Sequence, residues 1–257
     1  MPPEAPTSAA SDANSVLARL SAILAVFDPE HPELSLSQLV ARTGLPKSTV
    51  YRMAENLVTF GWLERVSSRY RPGIRVFELS GMVRERRVLR ELALPFLENL
   101  FVAIHEVVHL GTLHNLDVLY VERIGGHRCV KVPTRVGGRE PAYCTGLGKA
   151  MLAFSDPTVV DGVIARGLRP RTPYTIVVPA VLRQALAETC RTGVAFDREE
   201  SGLGWSCVAA PIFQRSTLLA AVSVTGAACR LDLDQVAPHV RQAALGISRA
   251  LTGARAS

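Results

Sequence analysis

The feature that most restricts this chain is a punctuated series of apolar stripes between Ser15 and Phe77. Val16, Leu17, Leu20, Ile23, Leu24 and Phe27 recur at three- and four-residue steps. That is the period of a helix with one buried face, and Asp28-Pro29 ends it. Leu36, Leu39, Val40 and Leu45 predict a shorter helix over about 35–42, with Gly44 supplying a turn. Pro46 suits the first position of a third helix, which runs to about Phe60 before Gly61 stops it. Two β-patterned segments follow, 62–66 and 70–77, around Ser67-Ser68-Arg69. Helix, helix–turn–helix, hairpin is the element order of a winged helix-turn-helix.

The third helix is divided into two faces. Ser48, Tyr51, Arg52 and Glu55 share one, and Val50, Ala54, Leu57 and Val58 the other. A helix that reads DNA needs this division, because one side packs on a core while the other enters the major groove. Residues 42–75 hold seven basic and two acidic side chains, a net +5, whereas residues 1–75 as a whole carry only +1. The charge therefore gathers where phosphates are met. Lys47, Ser48, Thr49, Tyr51 and Arg52 are the candidates for base edges. Arg65, Arg69, Tyr70 and Arg71 bracket the expected wing tip. The competing reading is a small helical subdomain with a solvated basic face. Agreement of stripe, turn, hairpin and local charge favours double-stranded DNA.

The remainder reads differently. Residues 78–104 are helical and rich in both charge signs, a connector that Pro95 is expected to kink or divide. Strands are expected at 107–113, 118–124, 129–132, 194–196, 206–213 and 218–225. Helices are expected at 145–154, 156–165, 179–192 and 232–251. Hairpin-grouped strands with helices set apart make an α+β domain with an antiparallel sheet. The 257 residues are 48% hydrophobic and 20% charged, which excludes a mainly disordered chain. No apolar run approaches the ~18 residues of a membrane span, and the first 13 residues read as a disordered tail without a secretory pattern. Five widely spaced cysteines without a CxxC pair suit free thiols in a cytoplasmic protein.

Three chemical motifs invite weighing. His105-Glu106-Val107-Val108-His109 matches the HExxH zinc signature, which needs both histidines on one helical turn. The β-branched alternation from Val107 onward predicts a strand, which separates them by ~13 Å, so no metal is assigned. GLGKA (146–150) lacks the flanking Gly and Ser/Thr of a phosphate loop. Cys207 could serve as a nucleophile only beside a positioned base, and no local signature names one.

Several stretches, in order, resemble the IclR family of bacterial transcriptional regulators. They are LSLSQLVARTGLPKSTVYRMAENLVTFGWLER (34–65), GREPAYCTGLGKAMLA (138–153), TPYTI (172–176), GVAFDREESGLGWSCVAAPIF (193–213) and AVSVTGAACR (221–230). The resemblance implies a winged helix-turn-helix over 14–77, a linker helix over 78–104 and a GAF/profilin-like effector domain over 105–252. It implies a homodimer, or a dimer of dimers, on a pseudo-palindromic operator, with repression relieved or altered by a small molecule. The implied effector contacts are Thr145, Gly146, Leu147, Asp197, Cys207, Ser223 and Thr225. Tyr143 puts a bulky ring where the family commonly has smaller residues, which is expected to narrow the pocket, and Thr225 replaces a frequent Ser. Ser223 and Thr225, two apart on a strand, share a face. Gly146 and Gly148 would expose amides near a helix start, so a small carboxylate or hydroxylated metabolite is the expected ligand. No cofactor and no membrane contact are expected. The alternatives are a C-terminal domain that turns over its ligand or one that binds another protein.

Overall fold

The computed structural model describes residues 15–28, 31–80, 82, 84–126 and 129–253; the 1–13 tail lies outside them. The chain divides into two units, residues 1–84 and 85–257.

In the first unit, α1 (Val16–Ala25) is capped by Ser15, whose hydroxyl accepts the Ala18 amide. Its outer end is less buried than the stripe suggests: Val16 and Leu17 are exposed and Ile23 carries the packing. A two-residue strand, β1 (Leu34–Ser35), leads into α2 (Leu36–Thr43). Ser35 and Gln38 form a reciprocal capping box there, which satisfies two amides that the helix start leaves open. Gly44, at φ 67°, ends α2 in the left-handed conformation glycine adopts without strain. Helix α3 (Lys47–Thr59) starts one residue after Pro46, which stands in the capping position instead of the first turn.

The hairpin is β2 (Leu63–Val66) and β3 (Arg69–Pro72), and β1 adds a third strand on the far side of β3. The second hairpin strand was expected to reach Phe77. Instead it stops at Pro72 and α4 (Ile74–Ser80) follows. Gly73 is the reason: its amide donates to the Trp62 carbonyl, and a Cβ at Gly73 would lie 2.3 Å from the Gly61 oxygen. The close crossing of these two backbones turns the chain out of the sheet.

Helix α5 (Arg84–Ile104) begins at the boundary and leads through the second unit. Pro95 does not divide it; the helix runs through. Leu89, Ala93, Leu97 and Leu100 pack into the core, so the expected connector is largely a core helix. The rest runs β4 (Val107–His114), β5 (Asp117–Ile124), β6 (Arg139–Pro141), a helical turn (Ala142–Cys144), α6 (Gly146–Leu152), α7 (Pro157–Arg166), α8 (Pro179–Thr192), β7 (Ala195–Arg198), β8 (Trp205–Gln214), β9 (Thr217–Ala227) and α9 (Leu233–Gly253). The sheet is antiparallel, ordered β6-β5-β4-β9-β8-β7. One face, with Val108, Leu110, Val208, Val222 and Val224, packs on α5 and α9. The other, with Val118, Ala209 and Ala221, packs on α6, α7 and α8. The strand expected at 129–132 does not form. That segment is irregular, and β6 holds the sheet edge instead. The chain returns to β5 through Tyr120, whose amide donates to Gly138 and whose carbonyl accepts from Gly137.

Candidate functional site

Two polar constellations stand out, one in each unit. On α3, Val50, Met53, Ala54 and Leu57 are buried, while Lys47, Ser48, Tyr51 and Arg52 are exposed and Thr49 is half-buried. Glu55 turns away from the open face. It accepts the Tyr70 hydroxyl at 2.7 Å and an Arg65 N–H at 3.3 Å, tying α3 to the wing. Tyr70, expected at the wing tip, is instead a core ring, and burial together with Glu55 pushes its phenol up to about 12. Arg65 stacks over that ring at 5.8 Å. Arg71 binds Glu64 through two N–H groups, and Arg69 donates to the Glu33 carbonyl at 3.1 Å. The wing arginines are thus held in place, and two of them are partly neutralised. Lys47 and Arg52 have no ion pair among the described residues. Exposed pairs of this kind are worth roughly 0–1 kcal/mol, so phosphate can displace them.

The second constellation is a cavity of about 30 Å³, enough for one or two waters. Thr145, Gly146, Leu147, Asp197, Cys207, Ser223 and Thr225 all line it. Sheet register explains their convergence. Asp197, Cys207 and Thr225 form one cross-strand row, and His109, Ser223 and Ala209 the next. Helix α6 closes the opposite side. Thr145 caps it, accepting the Gly148 amide at 3.1 Å. A Cβ at Gly146 would sit 2.8 Å from the Cys207 sulfur, so only glycine allows this approach. Gly148 serves packing and not ligand recognition: its amide is taken, and a Cβ there would lie 2.1 Å from the Ala142 oxygen.

The electrostatics of the cavity follow from burial. Asp197 accepts from the Glu200 and Ser201 amides and from the Ser201 hydroxyl at 2.6 Å, yet burial still raises its pKa. The buried Lys149–Glu200 pair anchors the same turn to α6. Burial pushes the Cys207 thiol up to about 12, which keeps it protonated and a poor nucleophile. Ser223 is fully enclosed, and its hydroxyl forms no hydrogen bond among the described residues.

Sequence reasoning missed six lining residues: His109, Tyr120, Val132, Thr134, Ser201 and Trp205. His109 was weighed only as a zinc ligand. It lies on a strand, whereas His105 follows the end of α5 at φ 58°. Its Nε2 and the Thr134 hydroxyl are 2.8 Å apart, and its ring lies 5.1 Å from Tyr120. Burial, with the Arg123 charge, lowers its pKa to about 3, so the ring is neutral. The alternation that placed Ser223 and Thr225 on one face could have flagged His109 through Gly111. Nothing local could have flagged Thr134. Tyr143 does not narrow the cavity. Its hydroxyl donates to the Arg169 carbonyl at 2.6 Å, and Val132 and Thr134 supply the cover instead.

Residues 16–67 match the IclR helix-turn-helix domain, and residues 82–249 match the bacterial transcriptional regulator IclR C-terminal domain. The chain is 31% identical over 242 residues to the transcriptional regulator KipR of Bacillus subtilis, covering 92% of this chain and 96% of that one. It is 30% identical over 209 residues to the transcriptional repressor IclR of Escherichia coli, covering 79% and 76%. An IclR homolog from Microbacterium hydrocarbonoxydans, solved in complex with 4-hydroxybenzoate, superposes with a TM-score of 0.84 at 30% identity, covering 94% of this chain and 99% of that one. These relatives are regulators, not enzymes. No helix among the described residues is long and apolar enough to cross a membrane. With both family domains matched in order over a winged helix and an α+β sheet, this chain belongs to the IclR family of bacterial transcriptional regulators.

Proposed function

We propose that the protein is a cytoplasmic repressor that binds a pseudo-palindromic operator as a homodimer, or dimer of dimers, under control of a small acid or hydroxylated metabolite. The observation that carries this is the pairing of an exposed polar α3 face with a separate, enclosed polar cavity whose Ser223 hydroxyl has no partner among the described residues. Lys47, Ser48, Thr49, Tyr51 and Arg52 enter the major groove, and Arg65, Arg69 and Arg71 hold phosphates. Thr145, Gly146, Leu147, Asp197, Cys207, Ser223 and Thr225 surround the effector. The 4-hydroxybenzoate bound by the Microbacterium homolog makes aromatic hydroxy acids the first ligands to try. The effector acts through unequal affinity for the DNA-competent and incompetent states.

The test is a mobility-shift titration on DNA upstream of the protein's own gene, across a salt series, with scrambled competitor and with 4-hydroxybenzoate added. A shift that specific DNA alone competes, that weakens with salt and that the acid alters supports the reading. Equal competition by scrambled DNA counts against it.

A further inference from the structure

The cavity's cross-strand rows continue beyond its lining to Arg123, a cation without an ion pair among the described residues. Arg123 is paired in register with His109, which is paired with Ser223, so all three side chains stand on the same face of the sheet. The Arg123 guanidinium folds toward Gly125: a Cβ there would come within 3.6 Å of Nη1 and 3.5 Å of the Val107 side chain. Val107 in turn heads the row that runs through Thr225 and Cys207 to Asp197. The enclosed polar groove therefore has an arginine beyond one end and a carboxylate at the other.

Two of its groups are unsatisfied. The Nε of Arg123 is buried without a partner, as is the Ser223 hydroxyl, and no ion pair forms at Arg123 among the described residues. Arg123 as a whole is half-buried, but a buried donor left unmade is costly, more so on a charged group than on a hydroxyl. Between them, the His109 Nε2 is taken by Thr134 of the covering segment at 2.8 Å, and its Nδ1 lies 3.5 Å from the Thr225 hydroxyl. Its 30 Å³ admits no organic acid until that cover yields, and displacing Thr134 frees the His109 nitrogen beside Arg123.

We propose that Arg123, assisted by His109, binds the effector's carboxylate, so that the ligand is an elongated acid whose other end carries a hydroxyl group to Ser223. This rests on the effector-cavity reading above and adds its charge requirement and orientation. Arg123 and Ser223 sit two strands apart, roughly 10 Å between backbones, so a ligand must be long enough to bridge them. A carboxylate placed the other way would face Asp197.

The experiment is calorimetric titration of the full chain with 4-hydroxybenzoate, with 4-hydroxybenzamide as its uncharged counterpart, and with a set of aliphatic hydroxy acids and their amides. Wild type should prefer an acid to its amide. Arg123→Gln should weaken that acid about tenfold or more and leave the amide unchanged, while Arg123→Lys should keep part of the preference. Ser223→Ala should weaken acid and amide alike. Cooperative melting of the ligand-free variants, at temperatures no lower than wild type, establishes that they fold. If Arg123→Gln binds the acid as wild type does, while Ser223→Ala weakens it, the carboxylate assignment is overturned and the cavity stands. If no probe binds wild type, or Ser223→Ala is without effect, the cavity reading itself falls, and this inference with it.

Discussion

The two units display their polar groups in opposite ways. On the first, Lys47, Ser48, Tyr51 and Arg52 face solvent, and the helix behind them packs through Val50, Met53, Ala54 and Leu57. In the second, His109, Asp197, Ser223 and Thr225 are turned inward between a sheet and α6. Exposure and enclosure set different terms for separating function from stability. An outward polar side chain can be removed without opening a core. An inward one shapes the cavity, so its loss changes ligand binding, and it costs stability only where the removed group is bonded or packed.

The largest expected effect tests whether the two units stand apart in stability. Leu57→Ala, in the first core, should cost about 2–5 kcal/mol. Calorimetry should show one transition lowered while the transition of the effector unit, and its ligand binding, stay in place. A single transition that moves as a whole would mean the two units unfold together.

Next comes Arg52→Ala, which removes a cation that has no ion pair among the described residues. Operator affinity should fall by about 1–3 kcal/mol, measured by mobility shift, with the melting temperature unmoved. A drop in melting temperature of several degrees would erase the contrast between outward and inward positions.

Ser223→Ala sharpens the contrast from the other side. Because the hydroxyl is buried without a partner, its removal should leave the free protein as stable or up to about 1 kcal/mol more stable, while the effector response is lost. A loss of stability would show that the hydroxyl is bonded in the free protein.

The smallest effect concerns acid. The Arg42 guanidinium, with His31, holds the Asp28 carboxyl at about 2, below its ordinary 3.8. A lowered pKa favours the folded state above the unfolded value, and that contribution disappears as pH falls from about 3.8 through 2. Asp28→Asn should flatten this part of the stability profile of the first unit, as followed by circular dichroism, and should leave the second unit's profile alone.

Legibility divided along the same line. The first unit is built from local signals: the capping box at Ser35 and Gln38, left-handed Gly44, and the two-faced α3. Its errors came where distant backbone intruded. Gly73 pressed on Gly61 cut the expected strand short, and Tyr70 went into the core because Glu55 and the α3 face received it. In the second unit β4, β5, β7, β8 and β9 were readable from the sequence, but 129–132 was not a strand and the short edge strand β6 was not foreseen. Its apolar Val132 covers the cavity instead of pairing at an edge. The seven expected effector contacts lie together, carried by resemblance to the family; of these, only Ser223 and Thr225 could be joined by spacing alone.

Periodicity could be read along the chain: it assigned most of the helices and strands, and with them a winged helix followed by an antiparallel α+β domain. Company came from the folded chain. His109 meets Thr225 across 116 residues and Thr134 across 25, and register lines up Arg123, His109 and Ser223 from three strands. Periodicity is set by the backbone geometry of neighbouring residues, which each segment carries within itself. Company depends on which strands pair and in what register, and that is chosen by burying both faces of the sheet at once.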